Sequence, residues 1–227
     1  DSGAGVLSKI VFPILADGTY YLGVTSFPDF DFTGAGGDGG RYVLSVFTVA
    51  GTLLSLGDDA SAEVPLPFSF PFQGQNYTSV FVNSNGNLTF GSGDTDFSES
   101  AAELLSDQPR IAALWDDLSP NNGGLVLVEE GAASWTVSFV GVPEFSATGS
   151  NTFSVTLEAS GRVTIAYGAV TALDGLVGVS PGGGAANPGE SDLSTSGTWS
   201  ATGVTFEQFI GAADTFDLTG AILVFVP

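Results

Sequence analysis

Carboxylates supply nearly all the reactive chemistry that this sequence offers. Its 227 residues include 25 Asp and Glu against 4 Lys and Arg, with no His, Cys or Met and a formal net charge of −21. Without a thiol or an imidazole there is no cysteine nucleophile, no Ser-His-Asp triad and no His/Cys metal centre. What remains is acid–base work by paired carboxylates and the binding of hard cations by oxygen. Asp116 and Asp117, adjacent at the end of a strand-like run, are the natural pair to test. Neighbouring strand residues point to opposite faces, so the two do not converge on one substrate bond. A structural role is expected for them instead, hydrogen-bonding the loop at 121–124, and no residue is assigned a catalytic function.

Two Gly-rich loops carry closely spaced acids. Asp29, Asp31 and Asp38 lie in one, and Asp94, Asp96 and Glu99 in the other. Calcium takes about six to eight oxygen ligands, so these six residues are the expected ligands and calcium the expected cofactor. No stretch has the EF-hand loop pattern. The competing reading of these residues, and of Asp58 and Asp59, is solvated turn aspartates. The run Asn83-Ser84-Asn85-Gly86-Asn87 reads as a tight turn, because Asn-Gly favours positive φ, with a glycan-binding loop as its functional alternative. Asn76-Tyr77-Thr78 and Asn87-Leu88-Thr89 are glycosylation sequons. Trp115, Trp135 and Trp199 read as core before they read as a sugar platform.

The elements that position these groups are strands. The 32 Gly and 11 Pro punctuate short runs rich in Val, Thr, Phe and Tyr, at 6–15, 18–26, 42–49, 79–83, 87–91, 125–129, 134–141, 152–158, 162–167 and 218–226. Many short strands with turn chemistry between them predict an all-β protein, here two β-sandwich or jelly-roll-like units. Residues 152–157 alternate cleanly, Phe153, Val155 and Leu157 on one face and hydroxyls on the other. One short helix is predicted near 100–105, from the capping-box spacing of Ser100 and Glu103 and the stop at Pro109. A weaker helical reading falls on 206–210. Composition places a linker at 57–63 between an N-terminal unit, 1–56, and a second unit, 64–227.

The segment Phe70-Pro71-Phe72-Gln73-Gly74, then Ser84-Asn85-Gly86 leading to Phe90, then Ile111-Ala112-Ala113-Leu114-Trp115-Asp116-Asp117-Leu118, resembles the nidogen-like extracellular domain over about 64–180. The N-terminal motif Asp17-Gly18-Thr19-Tyr20-Tyr21-Leu22-Gly23-Val24, with Gly40-Arg41-Tyr42-Val43-Leu44-Ser45-Val46, resembles the closing half of the bacterial pre-peptidase C-terminal β-sandwich. Neither resemblance implies catalysis. Together they imply a secreted or cell-surface module in adhesion, matrix or surface assembly, or an accessory, substrate-binding region of a secreted hydrolase such as a peptidase. A half sandwich leaves open edges that a second subunit or the other unit must cover.

Partners follow from charge and hydropathy. An acidic surface repels phosphate backbones, so nucleic acid is excluded. No apolar run reaches the roughly 18 residues of a membrane span. The missing initial Met is read as the mark of a processed product or of a fragment, with any signal peptide already removed. A mean hydropathy of +0.31 is high for an exported protein and points to contacts between subunits. The strand-like termini are the expected interface, with Val6, Ile10 and Phe12 at one end and Ile222, Val224 and Val226 at the other. A terminal strand added to a neighbour's sheet, head to tail, builds a filament. Self-association is the expected partnership, with glycan or matrix contact beside it. The alternative is that both terminal strands close their own sandwiches.

Overall fold

Alternation of the kind read at 152–157 builds two stacked sheets. The computed structural model describes residues 51–145 and 149–227. The chain divides into two compact units, Asp1–Thr48 and Val49–Pro227, and all the described residues belong to the second. In chain order its strands are β1 Thr52–Leu54, β2 Ser61–Phe72, β3 Gln75–Asn83, β4 Asn87–Thr89, β5 Arg110–Trp115, β6 Leu125–Glu130, β7 Ser134–Val142, β8 Asn151–Glu158, β9 Val163–Tyr167, β10 Asp174–Ser180, β11 Thr198–Ser200, β12 Thr205–Ile210 and β13 Ile222–Val226. One sheet runs β1-β6-β7-β8-β9-β13-β11, the other β12-β10-β5-β4-β3-β2. The fold is an all-β sandwich.

The inner faces are apolar. Trp135, Val137, Phe139, Phe153, Val155, Leu157, Ile165 and Phe225 from the first sheet meet Phe70, Phe72, Val80, Leu88, Phe90 and Ile111 from the second in one core. Burying each such side chain is worth about 1.5–3 kcal/mol, so this layer dominates stability. A smaller cluster on the outer side of the second sheet packs Leu104 against Ala112, Trp115, Leu176 and Phe206. Leu104 comes from α1, Ala101–Ser106, where the Ser100 hydroxyl caps the Glu103 amide at 3.1 Å as the capping box predicts. Because the helix covers it, every residue of β5 is buried.

Three sequence readings change. Residues 206–210, read weakly as helix, lie in β12; a short apolar run does not separate the two periods, and pairing with β10 decides it. The stretch 57–63 is a turn that runs into β2, whose Ser61, Ala62 and Glu63 pair with Asn83, Val82 and Phe81, so it lies inside the second unit. The C-terminal run narrows to β13, which bonds antiparallel to β9 and parallel to β11. Both backbone edges of β13 are therefore used, and Leu223 and Phe225 fill the core of its own sandwich. Ile222 and Val226 are exposed on the outer face, but the strand that carries them and Val224 is not free for donation. Val6, Ile10 and Phe12 lie outside the described residues.

The sheet edges are guarded. β2 carries Pro65, Pro67 and Pro71, β1 and β11 are three residues long, and β12 has its outer side bonded by Ser191 N–H to Phe206 O at 2.8 Å and by Ile210 N–H to Asp214 O at 3.0 Å. These are the usual devices against edge-to-edge pairing.

Candidate functional site

Beyond Trp115 the chain leaves β5 and turns. Leu118 N–H bonds back to Asp116 O at 2.7 Å, Ser119 N–H reaches Pro143 O at 2.9 Å, and Phe145 N–H reaches Asp117 O at 2.6 Å. These bonds bring Glu144, just past β7, beside the aspartate pair. β10 starts at Asp174 and pairs Leu176 with Trp115, which puts Asp174 next to the same turn. Gly175 permits that approach, with φ +120° and a Cβ position only 3.1 Å from Trp115 O. On the other side Ala60 and Ser84 exchange hydrogen bonds, so the turn holding Asp58 and Asp59 sits over the β3–β4 hairpin.

The outcome is a concentration of carboxylates at one end of the sandwich. Asp116, Glu144 and Asp174 form one group, each offering an oxygen within 4.8 Å of the others, and Asp58, Asp59 and Asp117 form a second with the same spacing. Asp116 and Asp117 lie in the turn just past β5 and do point apart, and each finds other carboxylates there. The expected partnership with loop 121–124 is replaced by these two groups. Burial, and then the nearby charges of Glu144, Glu99 and Asp174, push the Asp116 carboxyl up to about 8, although the Asp117 amide hydrogen bond opposes this. The Glu144 carboxyl beside it is also raised, mainly by burial and then by the charge of Asp174.

Of the expected calcium ligands, Asp29, Asp31 and Asp38 lie outside the described residues. Asp94 is spent on Arg110, with which it forms a hydrogen-bonded ion pair, and its other oxygen accepts the Asp96 amide at 2.9 Å. Asp96 accepts the Ser98 amide at 2.8 Å. Glu99 points elsewhere: burial raises its carboxyl, and Asp174, Asp117 and Glu103 are the charges around it. Asp94, Asp96 and Glu99 therefore do not gather around one point. Arg110 is fully buried, lies 3.7 Å from the centre of the Trp115 ring and donates to Asn87 Oδ1 at 3.0 Å.

The Asn-rich turn is internal. Asn83 donates to Asn87 at 2.8 Å and to Thr89 at 3.1 Å, and Asn85 donates to Asp59 at 2.9 Å. Ser84, Asn85 and Asn87 are buried, which removes them as a glycan-binding loop and hides the second sequon. Trp115 and Trp135 are core. Two depressions on the described surface, about 260 and 280 Å³, are lined by none of the clustered carboxylates.

The doublets Asp58-Asp59 and Asp116-Asp117 were visible in the sequence. Glu144 and Asp174 were not, being lone acids beside Pro143 and Leu173 whose convergence is set by the pairing of Glu144 with Leu118 and of Leu176 with Trp115, distant in the chain.

A two-sheet sandwich with a short helix on one outer face and an acidic end defines the class as an all-β sandwich domain. A match to the family described as NIDO related spans residues 38–227, and the chain belongs to that family. The match extends the nidogen-like resemblance at 64–180 in both directions, taking in β11 to β13 and starting within the stretch read as pre-peptidase-like. NIDO-type domains are generally extracellular and non-enzymatic. No solved structure matches the chain. Among the described residues no helix is long and apolar enough to cross a membrane.

Proposed function

We propose that this chain is a secreted, non-enzymatic structural or adhesive protein whose subunits associate outside the cell. The observation that carries the reading is the family match over residues 38–227 on a chain that has neither His nor Cys. The high mean hydropathy of +0.31 supports association. In this reading the donated strand is the segment holding Val6, Ile10 and Phe12, since β13 is committed on both sides and the described edges are guarded.

The test is light scattering with negative-stain imaging of the purified full chain over a range of concentrations. Regular fibres or discrete large assemblies, lost when Ile10 and Phe12 are replaced by Ser, are expected. A 23.0 kDa monomer at every concentration would remove self-association from the reading.

A further inference from the structure

Two cations are present among the described residues, and both are engaged away from the acidic end. Arg110 is held by Asp94 and Asp107, and Arg162 by Glu158. Asp116, Glu144 and Asp174 therefore face one another with no basic side chain of the described residues between them.

Asp116 supplies a second observation that does not depend on the crowding of acids. It is 8% exposed, more than nine-tenths buried. Its Oδ1 accepts the Asp117 amide at 2.8 Å, while Oδ2 is shut away from solvent with no hydrogen-bond partner among the described residues. Buried carboxylate oxygens are normally paired, because desolvating one without a partner is costly. A proton on Asp116 cancels one of three charges. A divalent cation cancels two and gives Oδ2 a ligand bond.

The spacing suits such an ion. Oxygens no more than 4.8 Å apart fit the diameter of a shell of metal–oxygen bonds about 2.4 Å long. The donors are all hard oxygens, which suit calcium or magnesium over metals that prefer imidazole or thiolate. Calcium tolerates an irregular set of protein oxygens, whereas magnesium demands near-octahedral geometry and keeps its waters. We propose that Asp116, Glu144 and Asp174 form a calcium site that ties the end of β5 to the start of β10 and to the segment after β7. The neighbouring group of Asp58, Asp59 and Asp117 is not included: Asp59 already accepts the Asn85 side-chain amide, and although Asp58 Oδ1 is also shut away without a partner among the described residues, all three residues are less buried than Asp116, which is more than nine-tenths buried.

The experiment uses the full chain, stripped with a chelator and titrated with calcium chloride by calorimetry, with melting temperature followed in parallel. One saturable site tighter than about 1 mM, the weak end for extracellular modules, and a rise in Tm are expected. Asp174→Asn and Glu144→Gln should each weaken binding at least tenfold, while melting in chelator at or above the temperature of the parent, since each removes an unbalanced negative charge. Asp58→Asn should bind as the parent does. If one of the two site variants fails to melt cooperatively, the other carries the comparison. No saturable binding up to about 10 mM, tenfold beyond the weak extracellular range, would leave Asp116 a protonated partner of Glu144 and overturn the proposal. So would parent-like binding by Asp174→Asn or Glu144→Gln, or loss of binding in Asp58→Asn alone.

Discussion

Gly86 lies so close to Leu114 that a Cβ on it would sit 1.8 Å from the Leu114 carbonyl oxygen. Its own carbonyl accepts the amides of Ala113 at 3.2 Å and Leu114 at 3.1 Å, which fastens the β3–β4 turn to β5. With φ at +72° it is also in the region that favours glycine. Gly86→Ala must therefore move backbone as well as accept strain, and a loss of about 3 kcal/mol or more is expected. Urea unfolding checks this through a lowered midpoint at an unchanged slope. A loss below about 1 kcal/mol would mean that the turn and β5 separate easily.

Arg110 is the counterpart on the neighbouring rung. Its guanidinium stacks on Trp115, pairs with Asp94 and donates to Asn87, all while fully buried. A lysine keeps the charge but loses the planar fork and the stacking, so Arg110→Lys is expected to cost about 2–4 kcal/mol. Equilibrium unfolding of the parent, Arg110→Lys, Asp94→Asn and the double variant gives the coupling directly. Additive losses would show that the planar fork of Arg110 adds nothing to the pairing with Asp94 that a lysine does not supply.

How much of this was legible depended on how local the cause was. The helix was legible because Ser100, Glu103 and Pro109 act within a few residues of one another. β8 was legible because one face is wet, so Phe153, Val155 and Leu157 alternate with hydroxyls. β5 carried no alternation, since α1 covers its outer side, and only the resemblance marked it as a strand. The three prolines of β2 hid a twelve-residue strand, because a sequence does not say that a strand lies at an edge. The acidic end was half legible for the same reason. Its doublets are local, but Glu144 and Asp174 join them only through pairing of distant strands. The expected ligands Asp94 and Asp96 showed the reverse: carboxylates well spaced in sequence are claimed by Arg110 and by backbone amides once the chain folds.

The prolines of β2 give a prediction about association. Pro65 and Pro67 are exposed on an edge strand, where neither can donate an amide hydrogen bond to an incoming chain. Replacing both by Thr restores two donors and raises strand propensity. Light scattering is expected to show an irregular, concentration-dependent mass increase in the variant, at concentrations where the parent keeps its ordinary state. An unchanged mass would show that other features of this edge keep neighbours away.

Glu207 makes the fold sensitive to pH. It lies on β12, is 9% exposed and accepts the Leu193 amide at 2.9 Å. Burial, reinforced by Asp217, Asp192 and Asp214, raises its carboxyl from 4.5 to about 7 against the opposing pull of that hydrogen bond. The folded state therefore binds this proton more tightly than the unfolded chain does. Its stabilising contribution is complete below about 4.5 and is lost as pH rises through about 7. Glu207→Gln keeps an acceptor for Leu193 and removes the titration. Melting temperatures of parent and variant should be close near pH 4 and separate as pH rises, the variant melting about 2–4 °C higher at pH 8, a gap that corresponds to roughly 1 kcal/mol for a chain of this size. The raised carboxyls of the acidic end act in both proteins alike, so the difference between the two curves isolates Glu207. A constant gap across that range would assign the carboxylate no part in the pH dependence of the fold.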